Sequence, residues 1–130
     1  MVHPGMLILA VVALLATGCG STGEEDQVSS LAREWLAAAQ ARDATAECAL
    51  LTPAAAQSAA TGDESCVQAV GRLDLPGGGS VEDIEVWNDS ALVRTGTDTL
   101  FLMRLSDVWR VNGAGCTPQG DRPYDCDVEG

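Results

Sequence analysis

The chemistry open to this chain is bounded by what it lacks. Its one histidine, His3, lies ahead of the apolar run Met6 to Ala16, and its seven basic residues are all arginine. That run is too short to span a bilayer, which takes about 20 residues. It suits the apolar region of a secretory signal. With the signal removed, the mature chain has no imidazole and no side-chain amine. Ser-His-Asp and Cys-His pairs, histidine metal sites, Schiff bases and phosphate loops are therefore excluded. Carboxylates, cysteines and one phenol, Tyr124, remain. Asp83 and Glu85 open a strand pattern and Tyr124 lies in the tail. No spacing ties the three together, so Glu82, Asp83 and Glu85 read as a solvated strand face rather than as a general base. Asp43, at the end of the first helical pattern, reads as a turn residue. Asp121, Asp125, Asp127 and Glu129 offer oxygens suited to calcium but lack the D-x-D-x-D-G loop. A solvated acidic tail is expected, with no metal and no cofactor.

The five cysteines carry more information. The first, Cys19, follows the apolar run directly after Thr17 and Gly18. The segment Leu15-Ala16-Thr17-Gly18-Cys19 resembles the lipobox of bacterial lipoproteins, with Ala16 where that family prefers Leu, Val or Ile. The resemblance implies that the Cys19 thiol receives a diacylglyceryl group and that the signal, residues 1–18, is cut before it. The mature chain is then held by its acyl chains at the extracytoplasmic face of the cell membrane. Two other readings stand beside it: an ordinary cleaved signal with a structural Cys19, and an uncleaved anchor.

With Cys19 lipidated, Cys48, Cys66, Cys116 and Cys126 form an even set in an oxidising compartment. Three pairings are open. Cys48–Cys66 and Cys116–Cys126 are favoured because each joins neighbours in sequence. A four-cysteine zinc site would need short Cys-x-x-Cys knuckles, which are missing. The nineteen acidic residues all lie beyond the signal, so the mature part keeps the net charge of −12. That surface repels nucleic acid and anionic headgroups alike.

The elements that must position these residues fall into two halves. Residues 19–26 are small and polar and read as a flexible tether. Val28, Leu31, Ala32, Trp35, Leu36 and Ala39 then recur at helical spacing, predicting a helix from about Gln27 to Ala41. Shorter helices are predicted over Ala44 to Leu51, Pro53 to Ala60 (with Thr52 as cap) and Ser65 to Val70, closed by Gly71. Pro76-Gly77-Gly78-Gly79 ends the helical half. Strand-like runs follow at Val81 to Trp87, Ala91 to Thr95, Thr99 to Leu105 and Val108 to Val111, separated by turn residues. The tail from Gly113 to Gly130 reads as irregular, pinned by Cys116–Cys126. Helices followed by a meander predict a single α+β domain over residues 27–130, with the helices on one face of a curved antiparallel sheet.

Three features carry a second resemblance: Arg42-Asp43 followed by Glu47-Cys48, the segment Val108-Trp109-Arg110-Val111, and Gly115-Cys116 with Pro123-Tyr124-Asp125-Cys126. With the helix-then-sheet layout, they resemble the nuclear transport factor 2-like superfamily, and in particular the small exported lipoproteins of high-GC Gram-positive bacteria. Members of that superfamily include isomerases, cyclases and binding or scaffold modules, so the resemblance implies a fold rather than a reaction. Trp35 and Trp109 sit on apolar patterns and read as core. The alternative is that they line a pocket between the helices and the concave sheet. The strand carrying Phe101 and Met103 is apolar at most positions and reads as buried on both faces. The expectation is a lipid-anchored, non-enzymatic binding or scaffold domain. Its partner would be another exported protein or a small apolar ligand. Two alternatives are an isomerase-like protein with a buried carboxylate and a structural envelope protein.

Overall fold

The computed structural model describes residues 21–130, so the expected signal over residues 1–18 and Cys19 lie outside the described residues. Four helices precede five strands: α1 Ser21–Gln40, α2 Ala44–Leu50, α3 Pro53–Ala59, α4 Cys66–Leu73, β1 Val81–Trp87, β2 Ser90–Thr95, β3 Thr99–Leu105, β4 Val108–Gln119 and β5 Arg122–Glu129. The strands form one antiparallel sheet in chain order. The architecture is α+β, with a single core between the helices and one sheet face.

The helices start where side chains satisfy their free N–H groups. Asp43 accepts from the Ala46 amide at 3.1 Å and caps α2, so it is the turn residue its position implied. Thr52 caps α3 ahead of Pro53. Ser65 and Gln68 form a reciprocal capping box on α4. That last helix runs past Gly71 and stops at Asp74, which adopts a left-handed conformation and pairs with Arg42 at 2.9 Å. Gly71 does not end it. A Cβ at Gly71 would meet Ala44 of α2 at 3.9 Å, an ordinary van der Waals contact.

Two expectations are corrected. The flexible tether expected over residues 19–26 does not hold from Ser21 onward, because α1 begins there. Glu24 lies in its first turn, where a carboxylate complements the helix dipole, and it pairs with Arg104 of β3 at 2.6 Å. The tail is not irregular either. β4 continues to Gln119 and pairs with β5. A register shift at Phe101/Leu102 and a positive φ of 65° at Gly115 let β4 bend while staying in the ladder. Pro123 is tolerated because β5 is an edge strand.

The α1 stripe is buried as a unit: Val28, Leu31, Ala32, Trp35, Leu36 and Ala39 all face the core. Val93, Leu100, Leu102, Val111 and Val128 meet it from the sheet. On β3 only alternate residues reach this core. Phe101 and Met103 are half-buried on the open face and Leu105 is exposed, so the strand is not buried on both faces. Strand alternation places the β1–β2 and β3–β4 turns at one end of the sheet. The β2–β3 and β4–β5 turns lie at the other. α1 runs from the first end to the second. It starts beside Arg104 and ends where the Gly78 amide donates to Leu36 O at 2.9 Å.

Candidate functional site

The sheet brings together the three groups that sequence spacing left apart. Asp83 and Glu85 of β1 face Arg94 of β2, with Arg94 Nη1 at 2.8 Å from Asp83 Oδ2 and 3.5 Å from Glu85 Oε2. Burial works against the Arg94 charge, but Glu85, Asp83 and the Tyr124 phenol outweigh it and raise its pKa further. Tyr124 packs edge-on against Phe101 with ring centroids 5.2 Å apart. It therefore lies on a strand, not on an outer loop. Phe101, Gly113, Pro123, Tyr124 and Cys126 border a shallow recess of about 290 Å³ beside this cluster. Both carboxylates are about half exposed and share one guanidinium, which cancels only one of their two charges. That is ion-pair chemistry on a solvated face. A general base needs the opposite setting, an apolar pocket that raises its pKa.

Two other carboxylates are more enclosed. Glu47 is 4 % exposed, on α2 against α1 and α4. Burial, then the charge of Asp43, pushes its pKa up to about 6. The recess beside it, bordered by Ala39, Arg42, Val70 and Leu75, has a volume of about 30 Å³, room for a single water and no substrate. Glu47 directly precedes Cys48 in the sequence, but its burial comes from the α2–α4 approach, which no local pattern reveals. Asp98, in the β2–β3 turn, accepts from the amides of Gly115 at 2.8 Å, Cys116 at 3.0 Å and Thr99 at 2.8 Å. Burial raises its pKa, these amides pull it back, and Asp127 raises it again. Its oxygens are occupied in holding the bend of β4 to the turn.

Of the two readings of Trp35 and Trp109, core packing agrees with their burial, and Trp109 also borders an open surface depression with Leu31 and Val108. Both are buried in the core and neither indole N–H has a hydrogen-bond partner. The Arg104 guanidinium lies 5.7 Å from the Trp109 ring centroid. In the tail, Asp125, Asp127 and Glu129 are exposed along β5. Among the described residues, no three His, Cys, Asp or Glu side chains converge as a metal site would need.

The cysteine pairing is as expected. Cys48–Cys66 ties α2 to the start of α4, and Cys116–Cys126 links directly opposed residues of β4 and β5. No family model matches the chain, and neither curated proteins nor solved structures yield a match.

Proposed function

We propose that this chain is an exported, lipid-anchored, non-enzymatic binding domain of the nuclear transport factor 2-like kind, held at the extracytoplasmic face of the cell membrane. One observation carries the reading. The four cysteines from Cys48 onward close two disulfides, so Cys19 is the odd thiol, at a Gly-Cys junction after an apolar run. Disulfides accord with an oxidising compartment. An unpaired cysteine at a processing junction accords with lipidation. The non-enzymatic part is supported by where the carboxylates lie: Glu47 beside a one-water recess, Asp98 occupied by backbone amides, Asp83 and Glu85 paired with Arg94. The binding surface is the open sheet face, which carries half-buried apolar groups among charged ones.

The intact mass of the protein from the membrane fraction tests this directly. The expected mass lacks residues 1–18, gains a diacylglyceryl group on Cys19 and is four hydrogens short for the two bridges. An unmodified Cys19, or a Cys19→Ser chain that stays equally membrane-bound, overturns the anchoring.

The recess beside Phe101 and Tyr124 favours a second reading, in which a small apolar ligand binds there. Its 290 Å³ lies at the lower bound of small-molecule sites, which start near about 300 Å³.

A further inference from the structure

We infer that the end of the sheet carrying the β1–β2 and β3–β4 turns is a lipid-docking edge, with Trp87, Leu105 and Val108 seated in the membrane interface. The inference rests on the anchored reading above, but its evidence is separate. These three are among the exposed large apolar residues, at 54 %, 39 % and 47 % exposure. They share one face and one end. Leu105 lies opposite Val108 in the ladder, while Trp87 pairs with Ser90 and Ser90 with Met103, which is half-buried on the same face. With strands about 4.8 Å apart, the three residues span β1 to β4 over roughly 14 Å, with the exposed Ser90 of β2 between Trp87 and the other two.

The start of α1 says what lies beside this stripe. Glu24 is ion-paired to Arg104, and Arg104 also bonds Asp89 at 2.8 Å, so one guanidinium near the end of β3 fastens the first turn of α1 to the β1–β2 turn. Cys19 stands two residues before Ser21, within about 7 Å of chain reach. The eight-residue tether read from sequence would leave the domain free to tumble. A helix that begins at Ser21 and is fastened by Arg104 removes that freedom. Whether residues 1–18 are cut or kept, the membrane-bound part of the chain enters the domain at this end. Exposed tryptophan beside aliphatic side chains suits the interface, where the ring is part buried and part hydrated. The occupant is a zwitterionic lipid surface. Glu24 and Asp89 share the single charge of Arg104, and together with Asp107 and the net charge of −12 they disfavour anionic headgroups.

Fluorescence of the lipidated full chain in phosphatidylcholine vesicles, with acyl chains brominated near the headgroup, reads this out. Trp35 and Trp109 are buried, so the Trp87 signal is the difference between wild type and Trp87→Phe. That difference should shift to the blue, lose most of its intensity to the bromines and resist acrylamide. A Leu105→Ser/Val108→Thr chain, which removes the apolar groups without adding charge, should keep the wild-type thermal midpoint and reopen Trp87 to acrylamide on vesicles. Protein that sediments with vesicles while Trp87 stays open to acrylamide overturns the docking and leaves the anchor intact. Protein that fails to sediment overturns both. Shielding of Trp87 that grows with protein concentration in detergent, without vesicles, assigns the stripe to a second copy and overturns the lipid assignment.

Discussion

At the scale of single residues, the carboxylates divide by what surrounds them. Glu47 has a folded pKa near 6 against an ordinary 4.5, so between those values the folded chain keeps a proton that the unfolded chain has lost. Stability is therefore greatest below about pH 4.5 on this account and falls as pH rises through 6, by about 2 kcal/mol. Glu47→Gln should recover about that amount at pH 7.5 and flatten the slope between pH 4.5 and 6, measured as urea midpoints across that range. Glu64 has the opposite sign. The Arg72 guanidinium, then Thr61, holds its pKa near 2, so its contribution is present above 4.5 and fades as pH falls toward 2. Asp98 is the carboxylate whose loss should cost most. Asp98→Ala leaves the amides of Gly115 and Cys116 without their acceptor at a bend in β4, and should destabilise by about 2–4 kcal/mol in the same titration.

At the scale of elements, what was legible depended on whether the signal was local. The α1 stripe, the Thr52-Pro53 cap and the first three strands were readable because periodicity and capping act within a few residues. The start of α1 was hidden because Ser21 to Asp26 carry no apolar face, and Glu24 is held by a residue eighty positions away. The tail hairpin was hidden because Gly113, Gly115 and Pro123 are poor strand formers that only a bend and an edge position admit. The Arg94 cluster was invisible for the same reason, since its members come from three strands. The Pro76–Gly79 break was legible as a turn but not as a packing site. A Cβ at Gly77 would collide with the backbone of Ala39 and Gln40, so Gly77→Ala should cost about 1–3 kcal/mol by pushing the loop off the end of α1. The Cys48–Cys66 bridge joins α2 and α4 across 18 positions. Its removal by Cys48→Ser/Cys66→Ser should lower stability by about 3 kcal/mol in denaturant titration, with the Cys116–Cys126 hairpin kept.

At the scale of the whole molecule, the dominant fact is the excess of negative charge. Four of the seven arginines, Arg42, Arg72, Arg94 and Arg104, already face carboxylate partners, so local pairing is well served. The net charge of −12 is left as a field over a small domain, and that field opposes compaction. Salt acts on the two contributions differently. Raising ionic strength from 0.01 to 0.15 M shortens the screening length from about 30 Å to about 8 Å. Pairs in contact at about 3 Å keep most of their attraction under that change, whereas repulsion between carboxylates on opposite sides of the domain is largely removed. The thermal midpoint should therefore rise with salt at pH 7.5, and the rise should shrink at pH 5, where Glu47 is mostly protonated. A midpoint that falls with added salt would mean that the exposed pairs around Arg72, Arg94 and Arg104 outweigh the field. Under the proposed anchoring, an acidic surface gains nothing from anionic lipid, which leaves the acyl chains and the small apolar edge to hold the domain.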